Sequence, residues 1–249
     1  MYYYIFEPPQ GPKEYERTAQ IKDFLSQLGI AGEMAAPQPG RTAEDLVNVA
    51  VSKRYSTVVT VGGMDLINRV ARALLPYDAV LGIIPLNDDP DIANLVGTSD
   101  WKTAAEQLKR RRWQHTQLGM MNGSICFLTP ASITVPSGSE FHVSANTFEF
   151  SSKGPASIRI APLRHNESPE AGLVLDISQQ QKAKTSLFKM FSSKEPAPQE
   201  SHFVVSTLSL TTTQSCPVVV AGETLTGTPV SCATESKGIR LIIGKGSAG

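Results

Sequence analysis

A chain of 249 residues with 41% hydrophobic content can bury a real core and is long enough for two domains. Its 23 basic and 23 acidic residues cancel to a formal net charge of zero, which excludes a global electrostatic drive toward nucleic acid or an anionic membrane and leaves only local patches for such partners. Cys126, Cys216 and Cys232 lie far apart, without the close spacing of a zinc site or a redox pair, and fit a reducing, cytoplasmic setting.

The opening Met1-Tyr2-Tyr3-Tyr4-Ile5-Phe6 has no basic leader and is too short to cross a membrane, which takes roughly 18 apolar residues; it reads as a buried strand. Pro8-Pro9-Gln10-Gly11 breaks the chain, and Tyr15, Ile21, Phe24, Leu25 and Leu28 then follow helical spacing up to Gly29. Thr42 is placed to cap a second helix carrying Leu46, Val47, Val49, Ala50 and Val51, which leads into the β-branched strand Thr57-Val58-Val59-Thr60-Val61. Gly62-Gly63 follow directly. A third helix (Leu66, Ile67, Val70, Ala73, Leu74), a strand Val80-Leu81-Gly82-Ile83-Ile84 and a helical pattern from Trp101 to Leu108 complete this half.

Strands alternating with helices predict a parallel α/β, Rossmann-like sheet with ligands beyond the strand C-termini. From about Gln117 the pattern changes to Thr-, Ser-, Val- and Phe-rich runs at 140–150, 156–162, 171–178, 202–212, 217–221 and 228–243. The expected organisation is an α/β domain over residues 1–116, a β-rich, sandwich-like domain over residues 117–249, and a cleft between them. A helix-like interruption, Thr185 to Phe191, precedes a polar loop near 193–201, and no repeat of solenoid length is present.

The segment Val58-Val59-Thr60-Val61-Gly62-Gly63-Met64-Asp65-Leu66-Ile67-Asn68 is followed by Leu81-Gly82-Ile83-Ile84-Pro85-Leu86-Asn87-Asp88-Asp89-Pro90-Asp91-Ile92-Ala93. Together they resemble the catalytic domain of diacylglycerol kinases, the soluble diacylglycerol and sphingosine lipid kinases, in which G-G-D-G-T follows a strand and P-L-G-T-G-N-D closes the next. Glu7-Pro8-Pro9-Gln10-Gly11 stands where that family has N-P-x-x-G. Leu118-Gly119-Met120-Met121-Asn122-Gly123 resembles its passage into the second domain, and Ala221-Gly222-Glu223 stands where it has D-G-E. Four matches in order carry the resemblance; paired glycines alone would not.

The resemblance implies ATP and Mg²⁺ as cofactors and a nucleotide and a lipid as ligands. It implies Gly62, Gly63, Asp65 and Asp91 around the cofactor, Asp65 and Asp91 on the metal, and Asp65 and Glu223 in catalysis. A glycine turn after a strand lets backbone N–H groups approach phosphate oxygens. Three departures weigh against transfer. Met64-Asp65-Leu66 replaces Asp-Gly-Thr, so Asp65 substitutes for the acid one position late. Asn87-Asp88-Asp89-Pro90-Asp91 replaces G-T-G-N-D, losing both glycines and, at Pro90, an N–H donor. Ala221 replaces the first acid of D-G-E. Phosphoryl transfer depends on charge neutralisation and positioning, so such losses damage rate more than binding.

The expectation is a divergent lipid-kinase-fold protein with impaired or absent phosphoryl transfer that retains nucleotide or lipid binding, or serves a protein partner or a second copy of itself. The alternative is an active ATP-dependent kinase acting on a diacylglycerol-like or sphingoid hydroxyl. A third reading, the nicotinamide-dinucleotide kinases that share G-G-D-G-T, is opposed by the D-G-E-like segment. Asp65, Asp88, Asp89, Asp91 and Glu223 form a candidate Mg²⁺ set, but Asp88-Asp89-Pro90-Asp91 reads more plainly as turn and helix N-terminal chemistry. Two basic stretches, Lys109-Arg110-Arg111-Arg112-Trp113 and the amphipathic Lys182 to Lys194, are candidates for peripheral membrane contact, against the plainer readings of a solvated helix end and a short packed helix. The four histidines and Ser124, Ser137 and Ser139 show no metal or nucleophile pattern.

Overall fold

The computed structural model describes residues 1–163, 172–179 and 199–244. The amphipathic stretch 182–194, the helix-like run within it and the glycine-rich tail 245–249 lie outside the described residues.

Strand β1 (Tyr2–Phe6) leads through helix α1 (Pro12–Gln27) to β2 (Glu33–Ala35), α2 (Ala43–Ser52), β3 (Thr57–Gly62), α3 (Met64–Leu74), β4 (Val80–Pro85), α4 (Pro90–Val96), α5 (Trp101–Arg110) and β5 (Trp113–Thr116). Helix starts are set locally. Thr42 and Asp45 form the reciprocal capping box that opens α2, and Pro12 occupies the first turn of α1, where its missing N–H costs nothing.

β1, β3 and β4 are buried along their whole length because helices cover both faces of their sheet, so alternate residues serve two cores. Tyr3, Ile5, Val58, Leu81 and Ile83 pack with α2, α3 and α4; Tyr2, Tyr4, Phe6, Val59, Val61 and Ile84 pack with α1 and α5. Each fully buried aliphatic side chain of this kind contributes about 1.5–3 kcal/mol. The two tyrosine hydroxyls of the second face are satisfied by backbone: Tyr2 donates to Leu108 O at 2.8 Å and Tyr4 to Ile30 O at 2.6 Å.

The chain then builds β6 (Gly119–Met121), β7 (Ile125–Phe127), β8 (Ala131–Val135), β9 (Glu140–Ala145), β10 (Glu149–Lys153), β11 (Ala156–Pro162), β12 (Leu173–Gln179), β13 (Gln199–Val205), β14 (Thr207–Thr212), β15 (Pro217–Val220), β16 (Glu223–Gly227), β17 (Val230–Thr234) and β18 (Ile239–Ile242). β6 to β17 form two antiparallel sheets, β10-β9-β14-β17-β6-β7 and β13-β12-β11-β8-β15-β16. Their inner faces close on a core that includes Phe127, Ile133, Phe141, Ile158, Leu175 and Leu210. β8 and β11 show the strict in-out alternation of a half-buried sandwich strand.

The final strand departs from the division at 116/117. The first sheet has the order β2-β1-β3-β4-β18-β5, with β18 parallel to β4 and antiparallel to β5, so residues 239–242 complete the α/β part. The sandwich is thus an excursion between two strands of one sheet. A second tie is Asn68 of α3, 3% exposed, whose side-chain oxygen accepts from Leu128 N at 2.7 Å and Thr129 N at 3.2 Å while its amide donates to Met64 O and Thr129 Oγ1.

Candidate functional site

Gly62 ends β3 and Gly63 is the N-cap of α3, the strand-turn-helix arrangement that presents backbone N–H groups to an anion. The parallel register of β1 and β3 pairs Phe6 with Val61, and Glu7 N continues it by donating to Val61 O at 2.8 Å. Position 7 is thereby held beside the glycine turn. The Glu7 carboxylate folds into it, and Oε2 accepts from Gly63 N at 2.7 Å. A side chain at Gly62 would place its Cβ 2.7 Å from Glu7 Oε2 and 2.9 Å from Glu7 Cβ, so Gly62 is required by Glu7 itself.

This decides how the nucleotide phosphates implied by the resemblance fit. The amide that a phosphate oxygen would use is already bonded to a carboxylate of the same chain, and that carboxylate is a fixed negative charge in the turn. With Glu7 in this position, a phosphate at Gly62-Gly63 would have to displace the carboxylate from the Gly63 amide.

Asp65 sits in the first turn of α3. Burial raises its carboxyl above the ordinary aspartate range, the Glu223 charge raises it further, Arg69 at 3.9 Å pulls it down, and Glu7 and Glu44 add smaller upward pushes. Arg69 is largely spent on Glu44: Nε and Nη2 fork onto its two oxygens at 3.0 and 2.8 Å and hold that carboxyl down at about 2. Glu223 begins β16, next to a two-residue hairpin in which Ala221 (φ 55°) and Gly222 (φ 86°) are both left-handed. The fold therefore brings Gly62, Gly63, Asp65 and Glu223 to one place, from opposite halves of the chain.

Asp91 has a partner of its own. Its carboxylate is ion-paired with Arg159 of β11, whose guanidinium also lies 3.7 Å from Asp176 of β12, and Asp176 Oδ1 meets His202 Nδ1 of β13 at 2.6 Å. This network lines a cavity of about 260 Å³ between α4 and the sandwich. Asp89 has the plainer role expected from the sequence: it caps α4, accepting from Asp91 N at 2.8 Å and Ile92 N at 3.3 Å. Among the described residues, no group of three or more His, Cys, Asp and Glu side chains is disposed to hold a metal ion. Among them, too, no helix is long and apolar enough to cross a membrane.

Sequence reasoning missed Glu7 as a site residue, and it missed Arg159, Asp176 and His202. Glu7 was visible as the acid replacing Asn in N-P-x-x-G. The other three sit in alternating strands with no motif around them, and only strand pairing assembles them.

Residues 2–121 match the family model described as the diacylglycerol kinase catalytic domain. The solved structure of a diacylglycerol kinase from Bacillus anthracis str. Sterne matches with a TM-score of 0.73 at 14% identity, over 98% of this chain and 97% of that one. Two further structures from the same strain give TM-scores of 0.73 and 0.71 at 12% and 11% identity, each with 97% of its own chain covered. No curated protein sequence matches. At such identities the structures speak to the fold, and the family model speaks to residues 2–121: that segment belongs to the diacylglycerol kinase catalytic domain family, and the chain carries the fold of those structures through both of its parts.

Proposed function

We propose that this chain is a divergent member of the lipid-kinase fold in which phosphoryl transfer is impaired or absent and the cleft serves to bind nucleotide, lipid or a protein partner. One observation carries the reading: the Glu7 carboxylate on the Gly63 amide. It takes the donor a phosphate oxygen needs and opposes that oxygen with like charge, worth about 1 kcal/mol per close pair even with water-like screening. The Asp91–Arg159 pair supports the same reading, because a guanidinium already neutralises the one acid still aligned with the second family motif.

The direct test is ATP-dependent phosphorylation of diacylglycerol, measured beside a relative whose three motifs are intact. The expected rate is far below the relative's; a comparable rate sinks the proposal. A thermal-shift titration with ATP, with and without Mg²⁺, then separates the binding roles, since a ligand of the native state raises its apparent stability.

The alternative, an active kinase, is favoured by the convergence of Asp65 and Glu223, because a carboxyl raised by burial and a neighbouring acid is suited to proton transfer. If that reading holds, Asp65→Asn and Asp91→Asn each abolish transfer, and activity surviving both removes the roles assigned to them.

A further inference from the structure

The glycine turn has an anion of its own, but the opposite end of the same sheet has more cations than anions. α5 ends at Arg111, whose left-handed backbone (φ 51°) turns the chain sharply into β5. Its guanidinium swings back over the Tyr2 ring, 5.6 Å from the centroid, and donates to Ser56 Oγ at 3.1 Å and Thr57 Oγ1 at 3.2 Å. Both acceptors are neutral hydroxyls, and no carboxylate pairs with Arg111 among the described residues.

Across from it, Arg240 of β18 lies over the indole of Trp113, 5.3 Å from its centroid, and bonds Asp78. Arg111, Arg240, Trp113, Ser56 and Asp78 line a cavity of about 470 Å³. Its charged lining is two guanidinium groups against one carboxylate, and that carboxylate stands 94% exposed, at the rim. Lys109, Arg110 and Arg112 add positive charge beside it. In a chain of zero net charge this excess is local.

We propose that this cavity is a binding site for a phosphate group, soluble or on a lipid headgroup, separate from the cleft. Arg111 and Arg240 bring two planar guanidinium groups, the geometry that grips phosphate oxygens in pairs, to one cavity, where a phosphate would compete only with neutral hydroxyls and the exposed Asp78, and the half-exposed Trp113, under Arg240, lies in its wall. The site lies at the starts of β3 and β4, whereas Gly62 and Pro85 end those strands; six residues of β3 at about 3.3 Å each separate the two by roughly 15–20 Å. The proposal does not rest on the state of the kinase cleft.

Trp113 reports on the site directly, because the chain has only one other tryptophan, Trp101. Titrating a Trp101→Phe variant with sodium pyrophosphate and with glycerol 3-phosphate is expected to give a saturable change in Trp113 fluorescence, and calorimetric titration of the unmodified chain is expected to give the same dissociation constant. Vesicles of phosphatidylcholine and phosphatidylglycerol form the second arm. A response to the soluble anions assigns a free phosphate; a response to the vesicles alone assigns a headgroup. Arg111→Gln and Arg240→Gln should each weaken binding about tenfold or more, while Arg110→Gln, outside the cavity, should change it less than about twofold. The proposal fails if no probe gives a saturable response, or if Arg110→Gln weakens binding as much as Arg111→Gln does, since the basic run would then act as an unstructured surface charge.

Discussion

At the scale of single residues, Asp65 and Glu7 show how one site can keep a strand-turn-helix backbone while its side chains set a new electrostatic balance. Asp65 is ionised at a cost, because burial and the Glu223 charge raise its carboxyl above the unfolded value. The sign follows from proton linkage. As pH rises from the unfolded aspartate value toward the higher folded one, the native state holds the proton longer than the unfolded chain, so stability falls through that window and stays reduced above it. Asp65→Asn removes the penalty. The variant should melt higher than the parent at pH 7 and match it below about pH 3.8, the ordinary aspartate value. Because the side chain is 40% exposed, solvent screening keeps the gain small. Melting curves at the two pH values check it; a variant less stable at pH 7 would mean that the Arg69 contact outweighs the burial. Asp65 was legible in the sequence as the one acid next to the glycine pair. Glu7 was legible only as an oddity, because what makes it decisive is the pairing of Phe6 with Val61, and strand register is not written in either strand.

Among the elements, the β15–β16 hairpin places the largest local demand on its sequence. A two-residue turn with both central residues at positive φ suits Asn-Gly or Asp-Gly, and Gly222 meets its half of that demand. Ala221 does not, since its Cβ crowds the carbonyl in the left-handed region. An Asn or Asp at position 221 would satisfy this turn, so Ala221 holds the left-handed conformation at a cost. Ala221→Asn should therefore stabilise the chain by about 0.5–1 kcal/mol, read as a higher urea midpoint with an unchanged slope; no gain would show that the turn is not limiting. The other elements were legible in proportion to their length. Helices α1, α2, α3 and α5 and the buried strands β1, β3 and β4 follow from apolar periodicity and caps. β2, β6 and β7, three residues each, exist only through their partners and carry no pattern of their own.

Across the whole molecule, composition revealed two kinds of structure but not how they are joined. Ile239–Ile242 has the β-branched look of the strands before it, and nothing local distinguishes a strand that stays in the sandwich from one that returns to β4. The other join was hidden in a motif: Asn68 stands ten residues after Val58 as an unremarked polar residue on a helix, yet it is buried and holds the backbone of Leu128 and Thr129 between β7 and β8 of the sandwich. Asn68→Ala would leave two buried N–H donors without acceptors and Thr129 Oγ1 without its donor. Unpaired buried groups cost about 1–3 kcal/mol each, and local adjustment recovers part, so a loss of about 2–4 kcal/mol is expected. For a chain of this size that lowers the melting temperature by roughly 5–15 °C. Calorimetry gives a sharper reading than the midpoint alone. If Asn68 couples the two halves, the variant's transition should broaden or split as the sandwich and the α/β part lose their common fate, with β18 and the Asp91–Arg159 pair among the links that remain; a sharp transition shifted by less than about 1 °C would show that the apolar contacts of α3 carry the junction.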